Sequence, residues 1–161
     1  MKENHFPLVS IISVNYNQLE ASRKFLDSLQ NITYPNWEII LVDNASQEDP
    51  SEEIAKDYPE VKMIRSEKNL GFAGGNNLGI RAAKGKYFLM LNNDTEVDSG
   101  FLEPLVEIME NDPKAGMVGS KVRFFDQPDI IQYAGATPMT RFTATSHFIG
   151  YMEKDRGQHD Q

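Results

Sequence analysis

The sequence predicts an α/β protein with a mostly parallel sheet flanked by helices. Short apolar runs alternate with amphipathic segments four times along the chain, and each apolar run ends in polar residues. Alternation of this kind is typical of βαβ units, which join parallel strands through right-handed crossovers. The length of 161 residues suits one compact domain that needs no metal or disulfide to fold.

The first half of the chain supplies three strands and two helices. The run from Leu8 to Val14, LVSIISV, is apolar throughout, which favours a strand buried on both faces. Leu19 to Gln30 places apolar residues at helical spacing and predicts an amphipathic helix. WEIILV, from Trp37 to Val42, predicts a second buried strand. A short polar helix should end near Asp57, and residues 61–65 predict a third strand.

A segment rich in glycine and asparagine, NLGFAGGNNLG at residues 69–79, opens the second half. It is expected to turn into a helix that reaches Ala83, because Gly85 suits a helix C-terminus. Four further elements follow: the most apolar strand at 87–91 (YFLML), a helix at 101–109, a strand at 117–125 and an edge strand at 130–134. Residues 138–161 show no clear periodicity, so the chain is expected to divide into a domain at 1–137 and an irregular segment at 138–161.

Composition narrows the classes of function. The chain has 16 basic and 24 acidic residues, a formal charge of −8, and no basic run, which argues against a nucleic-acid partner. The absence of cysteine excludes disulfide frameworks, thiolate metal sites and cysteine nucleophiles. No apolar stretch approaches the length of a membrane span, and the start has no apolar signal-peptide core. A soluble, intracellular chain or an excised soluble domain is therefore expected.

Polar residues follow four of the predicted strands. They are Asn15-Tyr16-Asn17, Asp43-Asn44, the run from Asn69 to Asn77, and Asn92-Asn93-Asp94. Each segment alone is ordinary turn chemistry. In open α/β sheets, however, ligands bind beyond the carboxyl ends of the strands. Four such segments on one rim of the sheet predict a binding site.

The glycines do not form a known phosphate-binding motif. The first strand is followed by NYNQLE rather than by the dinucleotide fingerprint, and no window matches a P-loop. Gly74 and Gly75 leave two interpretations open. They could let the helix pack closely on the sheet, or they could expose backbone N–H groups to a ligand phosphate.

Among the strand-end residues, Asp94 is the strongest candidate for binding a metal ion. A lone carboxylate beside amides suits Mg²⁺ or Mn²⁺, which bind few protein carboxylates and take other oxygens from diphosphate and water. The alternative is that Asn-Asn-Asp-Thr only forms a cap or turn. Asp43 could accept a hydrogen bond from a nucleobase or ribose, or cap the turn at Ser46. Tyr16 could pack against a base or against the rim.

Three stretches, taken in order, resemble the inverting, nucleotide-sugar-dependent glycosyltransferases of family 2. They are VSIISVNYN, EIILVDNAS and NLGFAGGNNLGIRAAKGKYFLMLNNDTEV, within a resemblance that runs from Leu8 to about Phe125. The strings GFAGGNN and LNNDT are similar to those of the rhamnosyltransferase-like subgroup. The D-x-D-type motif of the family has Asn92 at its first position here, so Asp94 is its only carboxylate.

The resemblance implies the GT-A fold, a Rossmann-like sheet flanked by helices, truncated here before the acceptor half. It implies transfer of a sugar from a nucleotide-diphosphate donor, such as dTDP-rhamnose or a UDP-sugar, to a glycan or lipid-linked acceptor with inversion. Mn²⁺ or Mg²⁺ would bind at Asp94. The implied donor-binding residues are Asn15, Tyr16, Asn17, Asp43, Asn69, Gly74, Gly75, Asn76, Asn77, Asn93 and Asp94.

The family's catalytic base is expected beyond Gln161, so residues 1–137 resemble a nucleotide-sugar-binding domain and the chain alone should be inactive or nearly so. The resemblance further implies a cytoplasmic protein, with peripheral membrane association of the full-length enzyme at the inner face. Two other classes stay open on the sequence: a nucleotidyltransferase and a non-catalytic nucleotide-binding module. The nucleotidyltransferase would carry a glycine-rich basic loop after its first strand, where this chain has NYNQLE.

Overall fold

The computed structural model describes residues 6–160, within which ten helices and strands are assigned. In chain order they are β1 (Val9–Asn15), α1 (Leu19–Leu29), β2 (Trp37–Asp43), α2 (Ser51–Asp57), β3 (Lys62–Arg65), α3 (Gly71–Ala82), β4 (Tyr87–Met90), α4 (Leu102–Asn111), β5 (Val122–Arg123) and β6 (Ile131–Tyr133). The described residues divide into two units between Pro104 and Leu105, within α4. The functional division expected at residue 137 stays a prediction.

The first unit contains a four-stranded sheet in the order β3-β2-β1-β4, and every neighbouring pair is parallel. This confirms the predicted parallel α/β architecture. The register pairs Asn15 with Asp43, and Asp43 with Arg65. The polar ends of β1, β2 and β3 therefore lie in a row along one edge of the sheet.

Glycines bring α3 onto one face of the sheet, against the buried side chains of Ile12 and Val42. A Cβ atom added at Gly75 would lie 2.9 Å from Cγ1 of Val14, and one at Gly79 would lie 2.5 Å from Cγ2 of Ile12. Only glycine permits this approach. The packing interpretation therefore holds for Gly75, whereas a Cβ at Gly74 would meet the side chain of Leu70, one turn earlier, at 2.6 Å.

Helix α1 lies on the opposite face of the sheet. Side chains alternate along a strand, so Asn15 points to the face opposite Ile12 and Val14. There Asn15 accepts a hydrogen bond from Ser22 of α1. The apolar stripe predicted for this helix is buried at Phe25, Leu26 and Leu29. On its outer side, Arg23 forms ion pairs with Glu53 and Asp57 at the two ends of α2.

Strand β4, the most apolar run of the sequence, is an edge strand in the described sheet. Its residues alternate between half-buried and exposed, and Phe88 and Met90 are 46% and 51% exposed. High apolarity at this position therefore does not coincide with burial on both faces.

The second unit differs from expectation at residues 117–125. The predicted strand shortens to Val122–Arg123, which pairs antiparallel with β6, while Met117 is 89% exposed. Gly119 interrupts this run and Gly116 directly precedes it, and neither has a neighbour close enough to meet an added Cβ. The predicted edge strand at 130–134 is confirmed as β6, Ile131–Tyr133.

The end of the second unit folds back on its own hairpin. Lys121 forms ion pairs with Asp155, at 2.8 Å, and with Asp160. Beyond β6 only isolated bridges occur in the described residues, between Ile130 and Lys154 and between Ala136 and Phe148. Across residues 6–160, the helices all fall short of the length and apolarity required to span a bilayer.

Candidate functional site

The structure brings together the four polar segments that follow β1 to β4. Asn44, after β2, joins the segment after β3: its Nδ2 donates to Asn69 Oδ1 at 3.0 Å and to the carbonyl of Gly71 at 3.2 Å. Its Oδ1 accepts from the backbone N–H of Leu70 at 2.8 Å. One side chain thus fixes the entry to α3 against the end of β2.

Asn15 joins the end of β1 to β2 and to α1. Its Nδ2 donates to Asp43 Oδ1 at 2.9 Å, and its Oδ1 accepts from Ser22 Oγ at 3.1 Å and from the N–H of Gln18 at 3.2 Å. The side chain is almost completely buried. Asn15 therefore joins β1, β2 and α1 from inside the protein rather than at its surface.

Asp43 is fully buried, and both of its oxygens accept hydrogen bonds from the protein. Ser46 donates its hydroxyl to Oδ1 and its backbone N–H to Oδ2, the latter at 3.1 Å. The Ser46 hydroxyl oxygen also accepts from the N–H of Asn17 at 2.8 Å. Asp43 thus caps the turn at Ser46 and holds the loops after β1 and β2 together. Direct contact with a nucleoside stays a prediction.

Arg65, at the end of β3, is a site residue that the sequence analysis missed. Its Nη1 lies 3.8 Å from Asp43 Oδ2 and 2.8 Å from Asp49 Oδ1, and its Nη2 donates to the carbonyl of Ser46 at 3.0 Å. A basic residue that ends one strand, beside a strand that ends in an acid, is the sequence signal that predicts such a contact. Arg65 keeps the buried carboxylate of Asp43 beside a positive charge.

Asp49 has a low pKa, about 2, because it accepts hydrogen bonds from the side chain and backbone of Ser51, with a further contribution from Arg65. The backbone contact measures 3.0 Å, between the N–H of Ser51 and Asp49 Oδ1. This carboxylate therefore accepts the N–H of the first residue of α2 in its charged form.

The predicted binding residues separate into two sets by burial. The buried set contains Asn15, Asp43, Gly75, Asn76 and Asn93, while the exposed set contains Tyr16, Asn17, Asn69, Asn77 and Asp94, with Gly74 between them. Asn76, for example, donates to the carbonyl of Phe72 within α3 at 2.9 Å. Only the exposed set can meet a ligand without a rearrangement of the loops.

Asn93 and Asp94 are neighbours in the chain that face opposite ways. The amide of Asn93 is buried and donates to Ser22 Oγ at 2.9 Å, whereas Asp94 is exposed at the rim. Among the described residues, no three histidine or acidic side chains cluster in a way that could hold a metal ion. The chemistry of Asp94 fits a hard cation that takes its remaining oxygen ligands from diphosphate and water.

A cavity of about 290 Å³ lies between the loops that follow β1 and β2. Asn17, Gln18 and Ser46 form part of its wall, together with the acidic side chains of Asp49 and Glu53. Arg65 and Arg23 pair with these two carboxylates, but the lining itself contains acidic residues and no basic residue that could bind a diphosphate. We therefore place the candidate ligand-binding surface on the exposed strand-end residues other than Asn17, which lines this cavity.

Comparison with known proteins gives a family match over most of the chain. The sequence profile described as "Glycosyl transferase family 2" matches residues 10–160. An uncharacterised glycosyltransferase of Haemophilus influenzae is 32% identical over 117 residues, which cover 71% of this chain and 36% of that protein. The poly-beta-1,6-N-acetyl-D-glucosamine synthase of Staphylococcus epidermidis is 29% identical over 76% of this chain and 30% of its own length. The chain thus spans about a third of these relatives.

Solved structures agree on the fold. The Pyrobaculum calidifontis mannosyltransferase PcManGT, in complex with GDP-Man and Mn²⁺, superposes with a TM-score of 0.63 at 24% identity, over 70% of this chain and 35% of that one. Staphylococcus aureus TarS 1-349 in complex with UDP gives a TM-score of 0.57 at 22% identity, over 70% and 38%. Both are GT-A glycosyltransferases, so the predicted GT-A fold class is confirmed.

Proposed function

Because the chain belongs to glycosyl transferase family 2, we propose that it forms the donor-binding part of an inverting glycosyltransferase. The observation that carries this proposal is the convergence of four polar strand-end segments, which Asn15 and Asn44 tie together at one edge of a parallel sheet. Ligands of open α/β sheets bind at this edge. The ligand proposed is a nucleotide-diphosphate sugar.

Each exposed residue is proposed to contact a different part of the donor. Tyr16, which is 47% exposed after β1, offers a ring for the nucleobase to pack against. Asn69 lies just before α3 and Asn77 within it, where their amides can bind ribose or sugar hydroxyls. Asp94 would hold Mn²⁺ or Mg²⁺, and the bound cation would stabilise negative charge on the diphosphate.

The reaction is a single in-line displacement. An acceptor hydroxyl oxygen forms a bond to the anomeric carbon while the bond from that carbon to the diphosphate oxygen breaks. The electron pair leaves with the nucleoside diphosphate, and the hydroxyl proton passes to a base. The described residues contribute by holding the donor in one orientation. Correct orientation of the reactants can lower the activation barrier of such a reaction substantially.

The donor and acceptor are proposed at the level of chemical class. The related structures carry UDP and GDP-Man, so the family accepts more than one base. The motifs GFAGGNN and LNNDT support a rhamnosyltransferase-like donor such as dTDP-rhamnose. The acceptor would be a glycan or a lipid-linked glycan. Cytoplasmic location at the inner face of a membrane belongs to the same proposal.

Thermal unfolding in the presence of nucleotides tests the proposal. UDP, GDP and dTDP are compared with and without Mn²⁺, and UTP is added alone as the comparison for a nucleotidyltransferase. A ligand at about 100 times its Kd stabilises a protein by about 2.7 kcal/mol, which a melting curve resolves. We expect stabilisation by one diphosphate, increased by Mn²⁺. Stabilisation by UTP alone would favour a nucleotidyltransferase, and no response to any nucleotide would overturn the proposal.

A further inference from the structure

Asn93 lies directly before Asp94 in the chain, yet its side chain points into the protein. It is 6% exposed. Its Nδ2 donates to Ser22 Oγ at 2.9 Å, with longer contacts to Asn15 Oδ1 at 3.4 Å and to the carbonyl of Gln18 at 3.5 Å. The segment after β4 is therefore held by α1, the helix that follows β1.

This contact is the first of a directed series of hydrogen bonds. Asn93 donates to Ser22, the Ser22 hydroxyl donates to Asn15 Oδ1 at 3.1 Å, and Asn15 Nδ2 donates to Asp43 Oδ1 at 2.9 Å. All four side chains are buried. Each group donates to the next and the series ends on a carboxylate, the strongest acceptor of the four, so its members polarise one another.

The series spans the ends of three adjacent strands, β4, β1 and β2. Asp94 follows its first member without a residue between. Asp94 itself is exposed, and the position two residues earlier, Asn92, carries no second carboxylate that could share a cation. The place of the lone carboxylate is therefore set by the backbone that Asn93 anchors.

We propose that Asn93 and Ser22 are positioning residues for Asp94: they fix where its carboxylate stands and do not touch the donor themselves. The inference rests on the proposed function, in which Asp94 binds the cation beside the diphosphate. It assigns Asn93 a supporting role in place of the donor contact expected from the sequence. It also gives a role to Ser22, which lies on a helix outside all four strand-end segments.

Calorimetry on the 161-residue chain tests the inference. The probe is whichever of UDP, GDP or dTDP stabilises the wild type, titrated over a series of Mn²⁺ concentrations. The variants are Ser22→Ala, Asn93→Ala and the double variant, with Asn31→Ala as the control. Asn31 is an exposed asparagine just beyond the far end of α1.

Loss of a residue that orients a metal ligand weakens metal affinity about 10- to 100-fold. We expect each single variant to raise by that factor the Mn²⁺ concentration needed for half of the enhancement, and to leave binding without Mn²⁺ unchanged. The double variant should need no more Mn²⁺ for half of the enhancement than the more impaired of the two single variants, because both changes break the same series of hydrogen bonds. Asn31→Ala should match the wild type.

Each of the other outcomes contradicts a stated part of this inference or of the proposed function. If Ser22→Ala and Asn93→Ala both respond to Mn²⁺ as the wild type does, the positioning role is wrong and the proposed function stands. A defect in Asn93→Ala alone would overturn the series. If the wild type shows no enhancement, the cation part of the proposed function fails, and this inference with it. Should Asn93→Ala fail to fold, Ser22→Ala decides alone, because it removes one oxygen and nearly preserves volume.

Discussion

Asp43 keeps its carboxylate inside the protein, where Asn15 and Ser46 donate to its oxygens and Arg65 stands 3.8 Å away. A buried charge is tolerated only when it is paired and hydrogen-bonded. At this residue both conditions are met by groups from three different strand ends. The carboxylate therefore organises the loops that carry the exposed residues.

Replacing Asp43 with Asn should lower the free energy of unfolding. The amide offers one acceptor oxygen where the carboxylate had two, so a buried donor of Ser46 or Asn15 loses its partner, at a cost of about 1–3 kcal/mol. Urea denaturation measures the change. Asp126→Asn, at an exposed aspartate, is the control and should behave as the wild type. Equal stability of Asp43→Asn and the wild type would contradict the supporting role.

Replacing Asp94 with Asn should remove the part of nucleotide binding that depends on Mn²⁺. The amide keeps the shape of the side chain and loses the charge, so binding without metal should be nearly intact. Calorimetry with and without Mn²⁺ measures the difference. Glu96→Gln, which neutralises an exposed acid two residues further on, is the control. An undiminished response to Mn²⁺ in Asp94→Asn would reduce Asp94 to a turn residue.

At the scale of elements, α3 combines two requirements in one glycine-rich stretch. Its inner face must approach β1 closely, which Gly75 and Gly79 permit, while its first turn faces the strand-end site. The composition of this helix is thus explained by packing on the sheet at two of its glycines. Its asparagines divide between a buried amide, Asn76, and an exposed one, Asn77.

Gly79→Ala should destabilise the chain, although alanine favours helix by about 1 kcal/mol. The new Cβ would lie 2.5 Å from Ile12 Cγ2 and 3.3 Å from Val42 Cγ2, both on buried strands, and overpacking of this kind costs about 1–3 kcal/mol. Urea denaturation checks the sign. Gly116→Ala, where an added Cβ meets nothing within 4 Å, is the matched control. Stabilisation by Gly79→Ala would show that α3 can move away from the sheet.

The beginning of α2 should weaken in acid. The pKa of Asp49 lies at about 2, below its ordinary value of 3.8, so its contribution is complete above the ordinary value and is lost as pH falls through the folded value. Asn in its place keeps an oxygen that can accept the N–H of Ser51 and does not titrate. The difference in melting temperature between the wild type and Asp49→Asn should therefore shrink as pH falls from 5 to about 2. A difference that stays constant over this range would contradict the assignment.

At the scale of the whole molecule, the first unit carries every predicted donor-binding residue. Its sheet, its flanking helices and the hydrogen bonds among its strand ends are complete without a residue of the second unit. The family match extends through both units, from residue 10 to residue 160. Donor binding is thus a property of the first unit in our proposal.

The 161-residue chain should bind donor and transfer almost no sugar. The chain spans about a third of the curated relatives it matches, and in our proposal the catalytic base lies in the part of the family that this chain does not cover. Orientation of the acceptor by itself can be worth about 7–11 kcal/mol. Radiolabelled donor and an acceptor glycan measure transfer, with a full-length family enzyme as the positive control. Transfer at the rate of that control would place the base within the chain and bring Glu96, Asp98 or Asp155 into consideration.

The sheet and its helices could be predicted from the sequence because their periodicity is local and strong. The strand at 117–125 could not, because its apolar residues are interrupted by a glycine and by polar and charged residues (MVGSKVRFF). The division of the site could not be predicted either: Asn15 and Asn93 face inward while Asn17 and Asn69 face outward, and the same residue type serves both. Ser22 and Arg65 join the site only through the fold, since the partners Asn93 and Asp43 that they contact lie far from them along the chain.

The exposed edge of β4 makes the association of protein molecules in solution dependent on their net charge. Within the described residues β4 pairs only with β1, and it presents Phe88 and Met90 to solvent. Such an edge can recruit the strand of a second molecule. The net charge of −8 opposes that encounter through mutual repulsion, which dissolved salt screens within about 10 Å at 0.1 M. The colloidal stability of concentrated samples therefore depends on ionic strength, with dilute buffers favouring separate molecules.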